Sequence, residues 1–397
     1  MPVHTPVPVS LVTRRAFLGA GLAAVMLPVA ATNNRVAAPP LALATLIKRE
    51  MHTAKMPGLA VGFARDGVVR LAQAYGFADL AQRRPVTVNT MFHIASVTKT
   101  VTATAIMLLA QKGKLSLDEP ISRYLDFSVA NPRFPDDAIT FRHLLMHTSS
   151  ISDEQYYIID FRQRGHDAEQ TIADFLIRYL TPGGSNYSKE LCFSDARPGS
   201  VWHYSNVGFA LLGYLASRIG GEDMREQTRK NIFTPLGMDH TSWTVKGTPE
   251  LHRAVGYDFI DGALVPIEPI GFPDWSAGML RSSISDIMKF VAASANAGKA
   301  GDIALLGSAT MAQMLDMQTP KGLPTWLSGQ GLGWMESTLG GQLRPNHWGG
   351  DPGAFSAVYL DPATRSAVAI FTNVTASAEN KVAVKNIANH LFNQSGS

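Results

Sequence analysis

The stretch Ser96-Val97-Thr98-Lys99-Thr100-Val101-Thr102-Ala103-Thr104-Ala105-Ile106-Met107-Leu108-Leu109 reads as the opening of a buried helix. Val97, Val101, Ala105, Leu108 and Leu109 recur at helical spacing, and the run ends at Gln111-Lys112-Gly113, where glycine is a plausible stop. Residues three apart share one helix face, so the Ser96 hydroxyl and the Lys99 amine project into the same space and can exchange a proton. Such a pair also occurs by chance on helix surfaces. Its meaning depends on what the rest of the chain supplies.

Upstream, residues 41–54 read as a helix with Leu43, Leu46, Ile47 and Met51 on one side. Residues 58–65 and 68–75 read as strands flanking Asp66-Gly67, a dipeptide suited to the positive φ angles of a tight hairpin turn. Downstream, the spacing predicts helices at 98–112, 139–147, 168–180 and 206–219, then strands at 355–360 and 366–372 and a last helix at 378–392. Strands at both ends with helices between them predict an α/β (α+β) fold, one sheet interrupted by a helical insertion.

The composition excludes several classes. With 397 residues, 46% of them hydrophobic, the chain can bury a large core. The net charge of +3 arises from 35 basic and 32 acidic residues without a run of five like charges, so no nucleic-acid partner is expected. Cys192 is the single cysteine, which rules out an internal disulfide and a cysteine-rich zinc site. His143 and His147 stand four apart, but Leu144 occupies the place of a zinc protease's glutamate and no third ligand is apparent, so neither metal nor other cofactor is expected. No Gly-x-Ser-x-Gly elbow or phosphate-binding loop is present.

Thr13-Arg14-Arg15-Ala16-Phe17-Leu18, followed by an apolar run to Ala31, resembles a twin-arginine export signal. The run is short for a bilayer and broken by Gly19, Gly21 and Pro28. The expectation is a removable signal at 1–31, a linker at 32–41 and a mature chain of 42–397 without a membrane span, exported to the periplasm or secreted by a bacterium.

Two more motifs change the weight of Ser96 and Lys99. Tyr204-Ser205-Asn206 follows Pro198-Gly199 and opens another apolar helix, placing a phenol and a carboxamide at a loop-to-helix junction. His347-Trp348-Gly349-Gly350 precedes the terminal hairpin and fits an edge strand beside a cleft. In this order the motifs resemble those of the serine β-lactamase and penicillin-binding protein superfamily, in its class C-related esterase and peptidase branch. Residues 139–149, ending His147-Thr148-Ser149, resemble the family's loop into the cleft, and Pro235-Leu236-Gly237-Met238 and Gly331-Leu332-Gly333-Trp334 also match.

The resemblance covers about 42–392 and implies an antiparallel sheet flanked by helices with an inserted all-helical lobe, the sheet lobe at about 42–92 and 270–397 and the helical lobe at about 93–269. It implies that Ser96 forms an acyl-enzyme, that Lys99 and Tyr204 share the proton transfers, and that the backbone N–H groups of Ser96 and Gly350 bind the oxyanion. Asn206, Trp348, Gly349 and Ser149 would bind substrate, and His347 would complete the catalytic set. Which of Lys99 and Tyr204 takes the serine's proton stays open at this level.

In the family this chain resembles, class C β-lactamases and many DD-peptidases carry lysine at the His347 position, a cation for a substrate carboxylate. Histidine, with a pKa near 6.5, offers only a weak and pH-dependent pull. The expected substrate is therefore a small carboxylic ester, or a D-amino acid amide or peptide, with the ester favoured over a β-lactam. A β-lactamase or DD-carboxypeptidase, an acyltransferase and a catalytically silent binding protein are the alternatives. Arg344 lies an odd number of residues from His347 and would face the other way on a strand. Ser150 stands where the family loop has glycine, so the backbone there is expected to differ, and Met279 in Ala277-Gly278-Met279-Leu280 is expected to narrow the cleft.

Overall fold

The computed structural model describes residues 41–394; the twin-arginine-like stretch and residues 32–40 of the expected linker lie outside the described residues, while Leu41 already belongs to a helix. Strands β1 (Gly58–Arg65), β2 (Val68–Asp79), β3 (Arg84–Pro85), β4 (Gly329–Gln330), β5 (Met335–Leu339), β6 (Gln342–Asp351), β7 (Ala354–Asp361) and β8 (Ser366–Thr372) form one antiparallel sheet. Its order is β4-β5-β6-β7-β8-β1-β2-β3. The pairing of β1 with β8, from Leu59 opposite Thr372 to Arg65 opposite Ser366, joins the two ends of the chain around the insertion. Asp66 and Gly67 take φ angles of 55° and 72°, the pair of positive values the hairpin turn requires.

The central strands are buried on both faces, and their alternate residues serve different cores. Leu59, Val61, Val368 and Ile370 pack with Leu43, Ile47, Val384 and Ile387 of helices α1 (Leu41–Thr53) and, at the C-terminal end, Ala378–Gln394. Ala60, Ala64, Ala369 and Phe371 face Ile284, Ile287, Met288 and Val291 of the helix Ile284–Ala295. That helix approaches closely because Gly62 has no Cβ: one would stand 2.2 Å from Met288 Cγ. Each large aliphatic side chain so buried contributes roughly 1.5–3 kcal/mol.

The insertion is mainly helical, with a hairpin at Gly256–Ile260 and Ala263–Ile267 near its end. At its centre, helices α2 (Thr98–Gln111) and α3 (Asn206–Gly220) pack together in the larger core. Gly113, at φ 69°, lies just past the end of α2, as the sequence suggests. With α4 denoting Ile284–Ala295 and α5 Ala378–Gln394, the site lies where α2, α3 and β6 converge.

Candidate active site

Ser96 sits in a one-turn 3-10 segment, Ala95–Val97, that runs directly into α2. Ala95 before it has φ 43°, a left-handed value that costs an alanine about 1–2 kcal/mol and turns the chain sharply at Ser96. Lys99, one turn on, is fully buried. Its Nζ lies 3.3 Å from Ser96 Oγ, 2.7 Å from Asn206 Oδ1 and 2.8 Å from the Ala277 carbonyl oxygen. Two of these neighbours only accept, so they fix two N–H groups and leave the third position of the nitrogen aimed at the serine oxygen. Burial lowers the Lys99 pKa to about 7, against the opposing fields of Asp153, Asp274 and Asp351. A neutral amine aimed at Ser96 Oγ can take its proton.

The second motif is fixed by a loop that leads into it. Ser205 caps α3, accepting the Gly208 N–H at 2.9 Å, so Tyr204 and Asn206 flank the helix start. Burial holds the Tyr204 phenol well above its ordinary pKa, so it stays protonated, and the neighbouring Ser96 hydroxyl offsets only part of that rise. Lys99 Nζ stands 4.7 Å from the Tyr204 ring centroid. From the loop, buried Asp153 accepts the Ser205 hydroxyl (2.8 Å) and the Asn206 and Val207 N–H groups (2.5 and 3.2 Å). His147 Nδ1 accepts the Ser205 N–H at 3.1 Å, and His143 Nδ1 accepts the Thr140 N–H at 3.3 Å, so both histidines are engaged with backbone.

Strand β6 completes the site. β5 pairs with residues 342–346 and leaves 347–351 with one open edge, so the motif lies along an edge as its sequence suggests. Gly349 brings this edge against the nucleophile, since a Cβ there would lie 2.3 Å from the Ile94 carbonyl oxygen and 2.9 Å from Ser96 N. Gly350 lines the cleft. His347 is buried rather than cleft-lining; burial and the Lys99 field lower its pKa to about 3, so it offers no cation at neutral or mildly acidic pH. Its Nδ1–H donates to the Trp348 carbonyl at 2.9 Å, and its ring lies 6.5 Å from that of Tyr204. Trp348 lies outside the cleft lining: its indole packs on Phe355 and Tyr359 beneath Lys385 of α5. Arg344 shares that face, pairing with Asp361 over the Phe392 ring.

The loops differ from expectation as well. Ser149 is buried and its hydroxyl accepts the Ile151 N–H at 3.3 Å, so it closes a turn outside the cleft lining. Ser150 keeps the glycine-type backbone, φ 65°, with Asn131 Nδ2 donating to its hydroxyl at 3.0 Å. Met279 packs with Val245 and Phe272 and leaves the cleft wall to Gly278.

The cleft holds about 360 Å³ beside Ser96, Tyr204, Asn206 and Gly350, and its far wall is the segment 156–162. Its lining is charged. Asp160, Asp274 and Asp351 face it, and among the described residues its single lining cation, Arg162, is already paired with Asp160 at 2.7 Å. Burial raises the Asp274 pKa to about 7, while Asp351 accepts the His93 Nε2–H at 3.1 Å. Period-two alternation from His347 and Gly349 points to Asp351. Asp153 and Asp274 carry no such local signal.

The Beta-lactamase family model matches residues 43–392. Penicillin-binding protein 4* of Bacillus subtilis (strain 168) is 31% identical over 198 residues, covering 49% of this chain and 40% of that protein. The chain spans less than half the length of the curated relatives it matches. Among solved structures, the D-amino acid amidase of Ochrobactrum anthropi SV3 is 26% identical at TM-score 0.70, covering 90% of this chain and 100% of that one. The penicillin binding protein of Bacillus halodurans is 25% identical at TM-score 0.68, covering 86% and 98%. A match over this span, on the sheet and insertion described above, establishes that the chain belongs to the Beta-lactamase family, a family of serine hydrolases.

Proposed function

We propose that the protein is a serine hydrolase that cleaves small carboxylic esters, and D-amino acid amides or peptides more slowly, through an acyl-enzyme on Ser96. The observation that carries this reading is the Lys99 nitrogen, bound on two sides by Asn206 and Ala277 and directed at Ser96 Oγ on the third. Ser96 Oγ attacks the carbonyl carbon as its proton passes to Lys99, and the oxyanion takes the N–H groups of Ser96 and Gly350. Tyr204 gives a proton to the leaving alkoxide or amine and is reprotonated through Lys99. Water then attacks the acyl-enzyme and restores Ser96, so ester and water become acid and alcohol.

The charge of the cleft supports the substrate ranking. A carboxylate-bearing β-lactam would meet Asp351, with Arg162 already paired with Asp160 and neutral His347 behind, whereas a neutral ester meets no such repulsion. A free ammonium would be attracted, and the likeness to the Ochrobactrum amidase supports including amides. Penicillin binding is the second reading, favoured by the similarity to penicillin-binding protein 4*. The twin-arginine-like stretch supports action outside the cytoplasm, and among the described residues no helix is long and apolar enough to cross a membrane.

The test is turnover of p-nitrophenyl acetate and of nitrocefin by the purified protein, with fluorophosphonate labelling of Ser96. Ester hydrolysis with the higher kcat/KM, abolished in Ser96→Ala, is expected. Higher kcat/KM on nitrocefin would reverse the ranking, and neither labelling nor turnover would leave a binding protein.

A further inference from the structure

Tyr204 and Asn206 act only if the turn between them is held in place, and the holding group is a buried carboxylate. Asp153, 4% exposed, receives three donors from consecutive residues 205–207. All three partners donate, so the position calls for a group that only accepts. An amide of the same shape would turn its NH₂ towards an N–H. His147 grips the same turn from its other side, its ring 4.4 Å from that of Tyr204. Asn206 in turn binds Lys99, so a chain of contacts runs from Asp153 through Asn206 and Lys99 to Ser96.

Burial opposes the Asp153 charge, which the three donors and the Lys99 field support. We propose that Asp153 is a positioning residue for acyl transfer: it fixes the Tyr204 phenol and Asn206 carboxamide against Ser96, and it supplies the buried counter-charge when Lys99 takes the serine's proton. The inference rests on the Ser96–Lys99 reading above. The other titratable groups around Lys99 are Asp274 and Asp351, which favour its charged form, the imidazoles of His147 and His347, which burial keeps neutral, and the Tyr204 phenol.

The experiment compares wild type, Ser96→Ala and Asp153→Asn on p-nitrophenyl acetate, with kcat per fluorophosphonate-titrated site and a pH profile. For Asp153→Asn the expected result is a loss of about 10²-fold in kcat, the scale of a misplaced reacting group. KM should stay near wild type, and the acidic limb should move to lower pH because an anion near Lys99 has gone. Retained kcat or an unmoved limb in the folded variant overturns the proposal. Should Asp153→Asn fail to fold, Ser205→Ala removes one donor to the carboxylate; slower labelling of Ser96 is then expected, and an unchanged labelling rate overturns it. If wild type itself neither labels nor turns over, the acyl-enzyme reading has failed and takes this inference with it. Active wild type with wild-type-like Asp153→Asn removes this inference alone.

Discussion

Strand β6 has two faces one residue apart in sequence and unlike in purpose. Gly349 and Asp351 face the nucleophile and cleft, with His347 buried beside Tyr204 on the same face, while Arg344 and Trp348 pack towards α5. The first face is shaped by approach: Gly349 is small because Ile94 and Ser96 occupy the space of a side chain. The second is shaped by burial and stacking. Membership of the motif is therefore a poor guide to membership of the site. Trp348 lies inside His347-Trp348-Gly349-Gly350 and packs, half-buried, against the core, whereas Asp351 lies outside it and lines the cleft.

The sharpest way to break this contrast is from the partner of the first face. Lys99→Ala removes the proposed proton acceptor, and kcat for p-nitrophenyl acetate should fall by about 10³-fold or more, within the span of general-base losses. Near-normal turnover would pass the base role to Tyr204. Gly349→Ala is the next largest effect. Its methyl would meet two backbone atoms that cannot rotate away, so Ser96 or the strand must shift, and kcat should drop by about 10²-fold. A wild-type rate in that variant would show that the strand and nucleophile do not need this closeness.

Much of this arrangement is legible in the sequence because its signals are local. The period of α2, the Asp66-Gly67 turn and the apolar runs of β1 and β8 follow from residues within one element. The placement of Ser96, Lys99, Tyr204 and Asn206 around one point agrees with the motif order. What is not legible depends on distant contacts. Asp153 matters through partners 52–54 residues away, and Met279 is drawn from the cleft by Val245 and Phe272. His347 reads as a weak cation from its ordinary pKa, but desolvation in the folded chain removes that charge.

The pH profile sharpens the same contrast with a smaller effect. Burial lowers Lys99 to about 7, and its neutral form is the competent one. Activity is therefore retained above this value and lost as the pH falls through it, and kcat/KM should drop about tenfold per unit below the limb. Asp274, raised to about 7 by burial, titrates over the same range, so Asp274→Asn is needed to separate them. That variant should keep an acidic limb but move it to lower pH, because an ionised Asp274 stabilises the Lys99 ammonium. Disappearance of the limb would assign it to Asp274 instead.

The smallest effect on turnover belongs to the other face. Trp348 follows the proposed His347 position and precedes both glycines, so a reading from the motif alone makes Trp348→Ala a substrate-binding defect with raised KM. The packing of its indole on Phe355 and Tyr359, with the Lys385 ammonium 5.1 Å from its centroid, predicts a different outcome. Removing a large side chain from between the sheet and α5 costs stability, on the order of a few kcal/mol, and lowers Tm by several degrees. Below the new Tm, kcat and KM for p-nitrophenyl acetate should stay near wild type, since Gly349 and Gly350 keep their places while β7 still pairs with the strand. A raised KM without a fall in Tm would mean that the indole reaches substrate, and the division of β6 into a reacting and a packing face would be lost.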